Sequence, residues 1–179
     1  VHPSIHARIT PDKIAYRMAG SGECVTYRAL DEASNRFAHL LRAHGLQPGD
    51  HIALMLENHP RYFELCWGAQ RTGIVYTPIS SRLTAAEAGY ILEDSGAKLF
   101  VTSAVLREVA AELRAHAPGV GARLMVDGGI DGYDSFEQTL SRFPARAVAD
   151  ETAGSEMLYS SGTTGRPKGV LRAVASPAI

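Results

Sequence analysis

The chain has 179 residues, 45% of them hydrophobic and 21% charged, with a formal net charge of −1. That length makes about one domain of ordinary globular composition, and the near-zero charge gives no overall field to draw it to nucleic acid or to an acidic membrane. No run of about 18 apolar residues occurs, so no helix is expected to span a membrane.

Cys24 and Cys66 lie far apart without metal-site spacing, and read as free, buried or half-buried thiols of a reducing cytoplasm. The start, Val1-His2-Pro3-Ser4, carries no charged-then-apolar leader. The missing initiator methionine leads us to expect a few residues in front of it.

Residues 13–18 and 23–26 are strand-like runs around Ala19-Gly20-Ser21-Gly22, which reads as a hairpin turn. Thr26 then caps a helix expected to reach about His44. Leu30, Ala33, Phe37, Leu40 and Leu41 recur along it at helical spacing, and Gly45 with Pro48 stops it. Ala29 stands where a capping-box glutamate would.

From His51 onward strands and helices alternate. Residues 51–56 read as a buried strand, 60–72 as a helix opened by proline and stopped at Gly73, and 74–79 as the next strand. Thr84 and Glu87 form a capping box for a helix over 84–95, closed by Gly96. A strand over 98–102, a helix over 103–116 and a strand over 123–126 follow. Ser135 and Gln138 suggest a second capping box for a short helix to about Arg142, and 156–159 is the last strand. Single helices between strands imply crossovers and a mostly parallel, doubly wound α/β sheet with helices on both faces. The expected division is a hairpin plus helix over 1–48 and an α/β core over 49–179.

That core ends in Tyr159-Ser160-Ser161-Gly162-Thr163-Thr164-Gly165-Arg166-Pro167-Lys168-Gly169-Val170. The segment follows a strand, at the carboxyl end where ligands bind in such sheets. Glycines let backbone N–H groups converge on a ligand. Ser160, Ser161, Thr163 and Thr164 add hydroxyls, and Lys168, one of three lysines, adds a point charge. The set suits a polyphosphate, although composition alone describes a plain flexible loop equally well. A Walker A loop needs Gly-Lys-Ser/Thr; here Arg166 and Pro167 follow Gly165, and Gly169 follows Lys168, which disfavours a P-loop NTPase or kinase.

Other candidates fall away. The seven histidines contain no metalloprotease pair, and His59 before Pro60 reads as a helix starter rather than a base. Asp127, Asp131, Asp134 and Glu137 lack the alternation of a calcium loop and read as a solvated turn. Gly119 and Gly121 have no third glycine at the dinucleotide-fingerprint offset. Tyr62, Phe63, Leu65 and Trp67 read as a helix face packing on the sheet, with an aromatic acyl pocket as the sharper alternative.

The order of residues over 159–170 resembles, without a gap, the phosphate-binding signature of the adenylate-forming (AMP-binding) superfamily: acyl-CoA synthetases, luciferases and peptide-synthetase adenylation domains. Pro78-Ile79-Ser80-Ser81-Arg82-Leu83-Thr84 through Ile91-Leu92-Glu93-Asp94-Ser95-Gly96-Ala97-Lys98 is similar to the acyl-CoA synthetase branch. A third likeness runs from Thr26-Tyr27-Arg28-Ala29-Leu30-Asp31 to Gly45 and Pro48-Gly49-Asp50.

The resemblance implies an AMP-forming ligase that takes a carboxylic acid, a fatty acid or a relative of one, with ATP, Mg²⁺ and CoA. By that likeness Ser160, Ser161, Gly162, Thr163, Thr164 and Gly165 hold ATP phosphates, Lys168 offsets the charge of departing pyrophosphate, and Thr163 contacts Mg²⁺. It also implies that the adenine pocket, a metal-binding glutamate, a ribose-binding aspartate and a C-terminal lysine follow this loop. The chain is therefore expected to be an N-terminal portion, cytoplasmic, inactive alone and completed by its own missing C-terminal portion. Leu171-Arg172-Ala173-Val174 departs from the family's commoner Thr-His continuation, as in a divergent branch. Two other readings stay open: an adenylation domain loading a carrier protein, and a truncated, non-catalytic nucleotide-binding module.

Overall fold

The computed structural model describes residues 2–160 and 166–172. A helix that sequence reading did not anticipate, α1 (Pro3–Ile9), opens the fold; it starts on proline, and the His2 ring accepts from the Ser4 N–H as its cap. β1 (Ile14–Arg17) and β2 (Cys24–Thr26) form the expected antiparallel hairpin. Thr26 caps α2 (Tyr27–Ala43), its Oγ1 accepting from the Ala29 N–H at 3.2 Å. Phe37, Leu40 and Leu41 are fully buried, while Ala33 is only half-buried.

Seven strands then build one sheet: β3 (His51–Met55), β4 (Val75–Pro78), β5 (Ala97–Ser103), β6 (Ala122–Val126), β7 (Asp134–Ser135), β8 (Ser155–Ser160) and β9 (Lys168–Leu171). Their order is β7-β6-β5-β3-β4-β8-β9, and every pairing is parallel except β8–β9. Side chains alternate across a strand, so β3 sends Ile52 and Leu54 to one core and Ala53 and Met55 to the other. The first core is covered by α2, α3 (Tyr62–Gln70) and α6 (Phe136–Leu140), and the second by α4 (Ala85–Asp94) and α5 (Arg107–His116). Burial on both faces explains why these strands read as near-continuous apolar runs.

Helix spacing depends on two small residues. A Cβ on Gly68 would lie 2.6 Å from the Phe37 ring of α2, and one on Gly89 would lie 2.5 Å from Cβ of His116 on α5. The Thr84–Glu87 capping box of α4 forms as expected, with the Thr84 N–H donating to Glu87 at 2.9 Å.

Several boundaries differ from the sequence reading. α3 begins at Tyr62 rather than Pro60, because Pro60 and Arg61 are spent in a turn. The expected helix over 103–116 opens with a 3₁₀ turn, Ala104–Leu106, before α5. β7 and β9 were not anticipated; each is too short or too glycine-rich to show a period. Cys24 is exposed on the outlying hairpin rather than buried, whereas Cys66 is half-buried as expected.

The long connection from α6 to β8 is strapped across α2. Asn35 donates to the Ala145 carbonyl at 2.8 Å, and Arg42 pairs with Asp150 at 3.0 Å. Arg71 closes the strap from beneath: its guanidinium donates to Glu151 at 2.8 Å, Asp31 at 2.9 Å and the Ser34 hydroxyl at 3.0 Å. The chain thereby enters β8 at a fixed height beside β4.

Candidate functional site

Entry into β8 is tight. The Gly154 N–H donates to the Gln70 carbonyl at 2.6 Å, and a Cβ on Gly154 would overlap the backbone of Ile74. β8 pairs with β4 only at Ser155 and Glu156; from Met157 onward it pairs with β9 alone. The register sets Ser160 opposite Lys168, Tyr159 opposite Gly169 and Leu158 opposite Val170. The structure thus brings Ser160 and Lys168 together at the carboxyl end of β8, side by side on one face of an antiparallel hairpin. Both are exposed, and no carboxylate pairs with Lys168 among the described residues. Ser161, Gly162, Thr163, Thr164 and Gly165 lie outside the described residues.

The opposite face of the hairpin rests on α4. The Tyr159 hydroxyl donates to Asp94 at 2.6 Å, and the Tyr90 hydroxyl donates to the Pro167 carbonyl at 3.2 Å. The Arg166 guanidinium lies over the Tyr90 ring, 5.4 Å from its centroid. Burial, followed by the Asp94 carboxylate, pushes the Tyr159 phenol well above its ordinary range, so it remains a donor at neutral pH. Gly169 leaves room for its neighbours, since a Cβ there would meet the end of the Met157 side chain and reach the Tyr159 ring at 3.1 Å. Sequence reasoning missed Tyr90 and Asp94. Their signal was present as an i, i+4 pair on one face of a capped helix, but nothing local tells which loop that face meets.

A cavity of about 490 Å³ lies at the carboxyl ends of β3 and β4, bordered by Glu57, His59, Tyr62, Phe63, Ile79 and Ser80. Two of its polar groups, Glu57 and His59, have structural partners. Ser103, at the end of β5, donates to Glu57, just beyond β3, at 2.5 Å. His59 accepts from the Arg61 N–H at 3.2 Å and meets Asp127 at 3.0 Å, a turn-fixing role near the start of α3.

The aromatic set on α3 divides. Tyr62 and Leu65 pack on the first core as expected, but Phe63 is 49% exposed and leans on Tyr16, and Trp67 meets the His2 ring edge-on at 5.2 Å. The reading of all four as one sheet-packing face is corrected accordingly; α1 and the first hairpin recruit two of them. Burial pushes the Cys66 thiol up to about 12, away from the thiolate form.

Three of the four side chains of the acidic stretch have side-chain partners among the described residues. Asp127 pairs with His59, Asp131 with Arg114, and Glu137 with Arg61 at 3.2 Å. Among the described residues no group of three His, Cys, Asp or Glu side chains could hold a metal ion. What the site offers is an exposed hydroxyl and an ammonium without a carboxylate partner among the described residues, at a strand's carboxyl end, which suits an anion.

The sheet and its closing hairpin define a mostly parallel α/β protein, and comparison with known proteins gives the family. A sequence profile described as AMP-binding enzyme matches residues 4–176, and the chain belongs to that family. It is 36% identical over 168 residues to a long-chain-fatty-acid–CoA ligase of Mycobacterium tuberculosis, covering 92% of this chain and 33% of that protein. It is 34% identical over 171 residues to a fatty acid–[acyl-carrier-protein] ligase of Streptomyces coeruleorubidus, covering 95% of this chain and 32% of the relative. Among solved structures, the inhibitor-bound N-terminal domain of FACL13 from Mycobacterium tuberculosis superposes with a TM-score of 0.82 at 31% identity, covering 95% of this chain and 42% of that one. The chain spans about a third of the length of the curated relatives it matches.

Proposed function

We propose that this chain is the phosphate-holding N-terminal portion of an AMP-forming acid–thiol ligase, an acyl-CoA synthetase acting on a fatty or related carboxylic acid. The observation that carries the reading is the exposed Ser160–Lys168 pair at the carboxyl end of β8, in a chain whose relatives are named as acid–CoA ligases.

A carboxylate is a poor acyl donor, because its leaving group would be oxide. Attack of its oxygen on the α-phosphorus of ATP forms the acyl–phosphate bond and breaks the bond to pyrophosphate. The CoA thiolate then displaces AMP from the acyl carbon. Ser160, Ser161, Thr163 and Thr164, with the backbone N–H groups of Gly162 and Gly165, would hold the β- and γ-phosphates. Lys168 would offset the charge that gathers on departing pyrophosphate. Mg²⁺ would arrive with the polyphosphate, and Thr163 would add a hydroxyl to it. The loop needs no nucleophile or general base, since transfer of this kind rests on positioning and charge neutralisation. Free thiols at Cys24 and Cys66 favour a cytoplasmic setting.

A second reading, transfer of the acyl group to a carrier protein, is favoured by the likeness to the carrier-protein ligase of Streptomyces coeruleorubidus. Product analysis of the complete ligase separates these. Acid-dependent formation of AMP and pyrophosphate with acyl-CoA supports the proposal, acylated carrier protein supports the second reading, and ADP with phosphate contradicts both. Residues 1–179 alone are expected to give no acyl-CoA.

A further inference from the structure

The ends of β8 and β9 at Ser160 and Lys168 have little support from the rest of the sheet. Beyond Glu156, β8 has no pairing to β4, and β9 is the edge strand. Their support comes from α4. Tyr90 and Asp94 are one helical turn apart on the same face; Asp94 holds β8 and Tyr90 holds the residue that leads into β9. Asp94 grips Tyr159, the residue before Ser160, at 2.6 Å. Tyr90 grips the Pro167 carbonyl, one residue before Lys168, at 3.2 Å, and its ring lies under Arg166. Because side chains alternate across a strand, drawing Tyr159 toward α4 turns Ser160 to the other face, and the register turns Lys168 with it.

We propose that Tyr90 and Asp94 are positioning residues that hold Ser160 and Lys168 in polyphosphate-binding alignment; this rests on the phosphate-binding reading above. Neither residue touches the anion. Asp94 acts through the Tyr159 hydroxyl and Tyr90 through the Pro167 backbone, so the helix of the second motif sets the geometry of the loop motif. A cavity of about 420 Å³ beside this contact, lined by Leu83, Glu87, Tyr90, Arg166 and Pro167, leaves α4 and the hairpin joined through few side chains. Removing one of those contacts therefore has few substitutes.

The test titrates the chain with magnesium tripolyphosphate by calorimetry, with thermal melting in parallel. Lys168→Ala is expected to weaken binding. Asp94→Ala is expected to weaken it about tenfold, the scale of a hydrogen bond to a charged group. Tyr90→Phe, which keeps the ring under Arg166, loses about threefold, as for a neutral hydrogen bond. Asp94→Asn, which leaves an acceptor for Tyr159, regains most of the affinity. The Asp94→Ala/Lys168→Ala double variant loses less than the sum of the single losses, because one residue acts through the other. Unchanged affinity in Asp94→Ala and Tyr90→Phe beside a weakened Lys168→Ala would overturn the positioning role and spare the phosphate reading. Fully additive losses would also overturn it, as the contact would then be merely structural. No binding by the parent chain, or no effect of Lys168→Ala, would remove the phosphate reading and the positioning role with it. Should Asp94→Ala fail to fold, Tyr90→Phe, which deletes a single oxygen, decides.

Discussion

Arg71 is the largest fully buried side chain, 1% exposed, and its charge is met by Asp31 and Glu151 with Ser34 completing the guanidinium's partners. Leaving two carboxylates without their cation is costly, so Arg71→Ala is expected to lower stability by about 3–5 kcal/mol in urea denaturation. Arg71→Lys should recover only part of this, since an ammonium cannot serve the forked geometry. His2 offers a pH-dependent counterpart. Burial, with the Arg71 charge behind it and Asp31 opposing, holds its imidazole down to about 4. Between its ordinary value of 6.5 and about 4 the unfolded chain binds a proton that the folded chain refuses. His2 therefore contributes stability that is present above pH 6.5 and falls as the pH drops toward 4. Trp67, the single tryptophan, sits against that ring. Its fluorescence should change through this window as α1 loosens, and His2→Gln should abolish the change.

At the scale of elements, the junction into β8 has the least room. Gly154→Ala would press a methyl onto the Ile74 backbone, in β4's approach to the sheet. We expect a loss of roughly 1–3 kcal/mol, the range for overpacking, read by thermal melting, with faster amide exchange in β8 than in β3. Sequence alone marked the long helices and central strands well because their signals are local: the Thr26 cap, the Thr84–Glu87 box, and apolar runs buried on both faces. It did not mark β9, whose register depends on a cross-strand partner, or α1, whose end of the chain is met by Trp67 at the His2 ring and by Tyr27 at the His6 ring. Half of the loop's surroundings were likewise illegible. Ser160 and Lys168 could be named from residue order, but that Asp94 and Tyr90 serve them follows only from the docking of α4.

Across the whole molecule, a seven-stranded sheet, two cores and a strap over α2 converge on one exposed hairpin. Each of the three family-like segments contributes one part of that arrangement. The first supplies α2, which anchors the strap; the second supplies α4, which grips the hairpin; the third is the hairpin itself. Under the proposed function this arrangement would place charge for a departing polyphosphate, and Lys168 is the residue on which that function most depends. The direct measurement is acid-dependent exchange of labelled pyrophosphate into ATP by the complete ligase, with Lys168 and with Lys168→Ala. The account predicts a fall of about 10²-fold or more, the scale of removing a charge-stabilising group from a transition state. Exchange at the parent rate in Lys168→Ala would contradict it.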